Sequence, residues 1–167
     1  FIGPGHWPDA DMLPLGRIGI RSAGGDRYTR FTKDEQITLM TLWTMMRSPL
    51  MFGGDLCYND EWTTGLITNE EVLQITNSSH SNRQLYRDGD LIAWTAVGED
   101  GSFYLAHFNL GEEAADLSTD LSQLGLSGTY LVRDLWAKED METTNTGIIT
   151  NVPAHGAVLM KLTRQEG

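Results

Sequence analysis

The densest set of chemically capable side chains lies near the start of the chain, in Gly5-His6-Trp7-Pro8-Asp9-Ala10-Asp11-Met12-Leu13. In an extended backbone, residues two apart project to the same side, so Asp9 and Asp11 would present paired carboxylates. Carboxylates accept hydrogen bonds from hydroxyls, and Trp7 offers a flat apolar face on which the C–H groups of a sugar ring can pack. That combination suits a neutral polyol. The same two aspartates are equally compatible with a turn, in which short acidic side chains satisfy free loop N–H groups. His6, Asp9 and Asp11 could also be drawn as a metal set. However, no second His or Cys sits at ligand spacing in the loop, and neither Cys-x-x-Cys nor His-Glu-x-x-His occurs in the chain. No metal and no other cofactor is expected.

The remaining reactive residues carry no comparable pattern. His155 falls in a turn between two strand-like runs, and His80 and His107 have no partner motif. Cys57 is a single cysteine that cannot close an internal disulfide, so it leaves the redox compartment open. Trp43 with Met45 and Met46 reads as core. There is no phosphate-binding Gly-rich loop and no Gly-x-Ser-x-Gly elbow.

Composition narrows the partners. The 167 residues carry a net charge of −11, which argues against a nucleic-acid partner, since that affinity rests on Lys and Arg neutralising phosphates. No apolar run approaches the ~20 residues of a membrane helix, so no membrane partner is expected. A neutral ligand is easier to reconcile with this surface. The opening Phe1-Ile2-Gly3-Pro4-Gly5, without an initiator Met or signal peptide, reads as the start of a fragment.

The elements that must position the acidic loop change character near residues 77–82. The stretch from Gly3 to Gly25 is rich in Gly and Pro and cannot be a long helix. Thr32 and Glu35 fit a capping box opening a helix to about Arg47, with Ile37, Met40, Leu42, Trp43 and Met46 requiring burial on more than one side. Pro49 ends it, and Leu50-Met51-Phe52 reads as a short buried strand running into Gly53-Gly54-Asp55. Thr68 with Glu71 predicts a second capping box. Beyond, Asp88-Gly89 and Asp100-Gly101 are turn signals between alternating runs. Ile92, Trp94 and Ala96 would share one face; so would Tyr104, Ala106 and Phe108, and so would Tyr130, Val132 and Trp136. Strands over 148–152 and 157–162 complete an antiparallel set. The expected boundaries are therefore 1–78 for an α/β part and 79–167 for a β-sandwich.

The loop Gly3–Leu13 resembles the Gly-x-Trp-x-Asp-x-Asp-Met-Leu segment of glycoside hydrolase family 27, the α-galactosidases and α-N-acetylgalactosaminidases. The likeness continues through Leu42-Trp43, Ser48-Pro49-Leu50-Met51, Asp55-Leu56 and Thr68-Asn69-Glu70-Glu71-Val72. It ends in Asp134-Leu135-Trp136 and Val152-Pro153-Ala154-His155-Gly156-Ala157-Val158-Leu159, in the same order over nearly the whole chain. The resemblance implies the last two βα units of a (β/α)8 barrel followed by an antiparallel β-sandwich, with sugar bound at the C-terminal ends of the barrel strands. Phe1–Asp11 would be the end of the seventh strand and its loop, Thr32–Arg47 the seventh helix, Pro49–Phe52 the eighth strand, and residues 59–76 the last helical layer.

By the same resemblance Asp11 and Met12 would line a galactose pocket, with Trp7 and Asp9 at motif positions near it. The family's Asn-Asp-Pro-Asp stands here as Pro8-Asp9-Ala10-Asp11, which would alter the backbone of the loop. The family reaction is retaining; its nucleophile, in a Lys-x-Asp-type motif, and its acid/base belong to earlier barrel strands. No catalytic residue is therefore assigned to this chain, and alone it should be inactive. The expected ligand is an α-galactoside or related carbohydrate. The expected partner is the missing N-terminal part of the barrel or a second copy. An extracellular or periplasmic setting would suit glycan breakdown. The competing reading is a non-catalytic carbohydrate-binding or structural sandwich, for which the helical first half would have no use.

Overall fold

The computed structural model describes residues 3, 5–20 and 24–165. Phe1 and Ile2, counted above into a seventh strand, lie outside the described residues. Gly3 and His6 exchange backbone hydrogen bonds of 3.0 and 2.8 Å, closing a tight turn. A small hairpin follows, β1 (Arg17–Ile18) against β2 (Arg27–Tyr28).

Helix α1 (Lys33–Met46) opens on Thr32, whose hydroxyl accepts from the Glu35 N–H while the Glu35 carboxylate accepts from the Thr32 N–H. Two of the N–H groups a helix start leaves free are thereby satisfied. Arg47 closes the helix in a left-handed conformation. The helix is apolar on two flanks because it faces two cores. Met45, with Ile37 and Leu42, packs with the sheet described below; Met40, with Leu39 and Trp43, packs on Leu13, Leu15 and Leu66.

Helices α2 (Glu61–Ile67) and α3 (Glu70–Ser78) follow. The capping box expected at Thr68 and Glu71 does not form. Thr68 instead ends α2, its hydroxyl donating to the Thr64 carbonyl at 2.7 Å, and Asn69 heads α3. Glu71 is engaged elsewhere, by Arg133. The buried strand expected at Leu50–Phe52 is also corrected. Pro49 and Met51 are exposed, and only Phe52 pairs, through one parallel bridge to Leu13. A barrel strand takes its ladder from two neighbours, and here a single one lies beside it.

Strand β3 (Ser79–Asp88) begins directly after α3 and is followed by β4 (Leu91–Gly98), β5 (Phe103–Asn109), β6 (Ala115–Asp120), β7 (Tyr130–Asp134), β8 (Glu139–Asp140), β9 (Gly147–Val152) and β10 (Ala157–Arg164). Six of them form an antiparallel sheet ordered β3-β4-β5-β10-β7-β8, and β6 pairs with β9 in a second, small sheet. Alternation sorts the side chains. Ile92, Trp94 and Ala96, with Tyr104, Ala106 and Phe108, meet Met45, Val72 and Ile75 of the helices. Ala93, Leu105, Met160 and Leu162 face the other way, against Leu121 and Ile148. Central strand β5 is covered on both faces, which is why Tyr104 through Asn109 are all buried.

Trp136 does not share a face with Tyr130 and Val132, as the sequence suggested. Strand β7 stops at Asp134, whose carboxylate accepts from the N–H groups of Trp136 and Ala137 and turns the chain. Trp136 thereby swings to the helical side, donating its indole N–H to Thr41 at 2.9 Å.

Candidate functional site

The acidic loop is held from the far end of α1. Ser48, fully buried just beyond that helix, accepts the Ala10 N–H at 3.0 Å. Trp43 donates its indole N–H to the Asp11 carbonyl at 3.1 Å. The Leu13 N–H donates to the Met51 carbonyl at 2.7 Å, and the Gly53 N–H returns to the Leu13 carbonyl at 2.9 Å. Thus the loop is pinned at Ala10, Asp11 and Leu13, by groups lying 32 to 40 residues further along.

Within the loop the extended geometry that would aim both carboxylates the same way is absent. Asp9 accepts the Asp11 N–H through Oδ1 at 2.9 Å, which is the turn function weighed above. Asp11 adopts φ of 69°, a left-handed conformation that costs a non-glycine residue about 1 kcal/mol. Its Oδ1 accepts the Met12 N–H at 2.6 Å, and the carboxylate is exposed. Met12 is 55% exposed. Trp7 has one face covered by the Arg47 guanidinium, 4.0 Å from the ring centroid. That face is closed to a sugar.

Two glycines let the loop and the following segment approach. A Cβ on Gly53 would stand 3.1 Å from both the Leu13 carbonyl oxygen and the Met12 Cβ, and one on Gly54 would stand 2.2 Å from the Leu15 carbonyl oxygen. Beside them an open cleft of about 580 Å³ is lined by Arg17, Ile18, Ile20, Gly53, Gly54 and Asp55. Arg17 donates to Asp26 and lies over Tyr58 at 4.1 Å, tying the β1–β2 hairpin to the helical turn Leu56–Tyr58. The guanidinium holds the Asp26 carboxyl below the usual carboxylate range.

The other candidates have structural partners. His107 is fully buried between the sheets, bonded to Thr150 and Thr119, and burial pushes its pKa down to about 4. His155 meets Glu112 at 3.1 Å while its carbonyl accepts from Thr38 of α1. Lys138 and Asp140 reproduce Lys-x-Asp spacing, but Asp140 is on β8 and pairs with Arg133, so this is not a barrel-strand motif. His6, Asp9 and Asp11 are not gathered into a metal-ligand cluster among the described residues. Sequence reasoning missed Ser48 and the second role of Trp43; a Ser between a helix end and a Pro was the available signal.

A pinned acidic loop beside a parallel strand contact, helices α1 to α3 around it and a sandwich beyond are the arrangement expected of the C-terminal part of a barrel-type glycoside hydrolase. Residues 1–78 match the family description "Alpha galactosidase A", and residues 88–162 match "Alpha galactosidase C-terminal beta sandwich domain". The chain belongs to glycoside hydrolase family 27, comprising the last two βα units of its (β/α)8 barrel and the antiparallel β-sandwich. It is similar to a GH27 β-L-arabinopyranosidase from Geobacillus stearothermophilus, at 51% identity and a TM-score of 0.93 over 98% of this chain and 38% of that one. It is 28% identical to alpha-galactosidase D of Emericella nidulans over 100% of this chain and 25% of the relative. With alpha-galactosidase 2 of Arabidopsis thaliana it shares 26% identity over 99% of this chain and 40% of the relative. The chain therefore spans between a quarter and two-fifths of the length of these relatives.

Proposed function

We propose that the protein to which this chain contributes is a retaining glycoside hydrolase that removes terminal α-linked galactose from oligo- or polysaccharides. The observation that carries this reading is the loop from Asp9 to Leu13. It exposes a carboxylate and a thioether side by side, next to the Leu13–Phe52 strand contact, on a backbone fixed from three sides. In this reading Asp11 accepts hydrogen bonds from sugar hydroxyls and Met12 forms an apolar wall. Asp9 locks the turn, and Trp7, backed by Arg47, forms the rim. Retention requires one carboxylate to attack the anomeric carbon and a second to protonate the leaving oxygen, then deprotonate water. Neither is assigned to this chain, so its contribution is to bind and orient.

A second reading is favoured by the 51% identity to the arabinopyranosidase. β-L-Arabinopyranose has the ring-hydroxyl arrangement of α-D-galactopyranose and lacks only its hydroxymethyl group. One hydroxyl-binding carboxylate can serve both. The barrel part also exposes Met12 (55%), Met51 (44%), Leu56 (68%) and Tyr58 (53%), an apolar surface that the remainder of the barrel or a second copy would cover.

The test is hydrolysis of aryl α-galactoside, aryl α-N-acetylgalactosaminide and aryl β-L-arabinopyranoside by the protein carrying a complete barrel, with this chain alone as control. Turnover of one of them by the complete protein only is expected. Sugar binding without turnover of any would favour a non-catalytic carbohydrate-binding protein instead.

A further inference from the structure

We infer that Trp43 is a positioning residue for the Asp11 carboxylate, acting through the hydrogen bond from its indole N–H to the Asp11 carbonyl. The inference rests on the reading that Asp11 contacts the sugar. A residue in the left-handed region departs from its neighbours' conformation and stays there only when its surroundings over-determine it. Asp11 is such a residue, with φ of 69°. The bonds that hold its flanks are the Asp9 carboxylate on its own N–H, at 2.9 Å, and Ser48 on the Ala10 N–H, at 3.0 Å. On its carbonyl the bond comes from Trp43, at 3.1 Å.

Trp43 is suited to this task because its ring is anchored independently. It sits in the third turn of α1 and packs in the cluster formed by Leu13, Leu15, Met40 and Leu66. A side chain with two torsions, its partly buried ring packed against a core, presents its N–H at a nearly fixed point at little entropic cost. Rotation of the Asp11–Met12 peptide would break this bond and, by turning the Met12 N–H away, also the 2.6 Å bond through which that N–H holds the Asp11 carboxylate. Both the carboxylate and the start of the Met12 segment would thereby be released. The indole thus sets the direction of two pocket groups without touching the sugar itself.

The experiment uses the protein with its complete barrel and compares Trp43→Phe, Asp11→Ala and the double variant. Substrates are 4-nitrophenyl α-D-galactopyranoside and 4-nitrophenyl β-L-arabinopyranoside, with free galactose and arabinose as competing ligands. Trp43→Phe is expected to raise KM and the sugar inhibition constant about fivefold, with kcat changed much less, the size of one lost hydrogen bond. In the Asp11→Ala background the same substitution should have no further effect on KM, because nothing is left to aim. Should Trp43→Phe fold poorly, replacing Trp43 by 3-benzothienylalanine keeps the ring and deletes only the N–H; the same KM increase is then expected. An unchanged KM for either Trp43 variant, or effects of Trp43 and Asp11 that simply multiply, overturns the inference. An unchanged KM for Asp11→Ala instead overturns the reading on which it rests.

Discussion

Arg133 of strand β7 reaches across to helix α3 and holds Glu71 in a two-point contact, Nε to Oε2 at 2.6 Å and Nη2 to Oε1 at 3.0 Å. Its third nitrogen, Nη1, meets Asp140 of β8 at 2.9 Å. One guanidinium therefore ties the helical part to the sheet edge. It also explains why Glu71 does not cap its own helix.

Because Arg133 favours the ionised form, the Glu71 carboxyl is held below its ordinary pKa. A depressed carboxylate contributes stability that is complete above its unfolded pKa and is lost as pH falls through the folded value. Glu71→Gln should cost about 1 kcal/mol at pH 7, since both side chains are roughly a third exposed and screened. Urea unfolding at pH 7 and again in strong acid checks this, with the difference from the parent protein shrinking in acid.

His107 bends the stability profile in the same direction, over a higher pH window. Burial depresses its pKa from 6.5 to about 4, so the folded protein keeps it neutral where the unfolded chain takes a proton. Above pH 6.5 this group adds no pH dependence. Between pH 6.5 and 4 it should cost a total on the order of 3 kcal/mol as the unfolded chain gains its proton. His107→Gln keeps polar atoms near Thr119 and Thr150 and should flatten the stability profile over that window. A slope equal to the parent's would show that His107 titrates freely.

Gly54→Ala is expected to be far more harmful than an ordinary surface glycine substitution. The added methyl would stand 2.2 Å from the Leu15 carbonyl oxygen, a backbone atom that cannot rotate away. A loss of at least ~2 kcal/mol, seen as a lower melting temperature, is the expected result. Gly65→Ala, where an added methyl meets nothing within 4 Å, is the matched control and should be neutral or stabilising.

Thr32→Ala removes the hydroxyl that accepts the Glu35 N–H at the start of α1. The expected cost is about 1 kcal/mol. Thr32→Asp should restore most of it, as read by thermal unfolding.

Much of this architecture was legible because local chemistry and tertiary need coincided. The Asp88-Gly89 and Asp100-Gly101 signals lie between β3 and β4 and between β4 and β5, and the Thr32–Glu35 pair does open α1. Strands β3 and β6 were harder to see, since their burial patterns leave many positions exposed and polar at the margins of the sandwich. The acidic loop was recognisable by its residue types, and the turn closed by Asp9 was one of the two backbones its sequence left open. The left-handed turn at Asp11 depends on contacts from Trp43 and Ser48, more than 30 residues away, and no local pattern encodes them. In the same way Thr68 and Glu71 matched a capping pattern, and a distant arginine decided otherwise.

Helix α1 belongs to two interiors at once: one flank is sealed by the sheet, and the other supports the segment that presents Asp11. The sandwich is consequently not a cartridge to be clipped off or exchanged at will. Trimming it would strip the backing from the same rod that steadies the acidic turn; if Asp11 meets the sugar as proposed, damage to a remote strand should register as weaker substrate capture before any loss of chemistry.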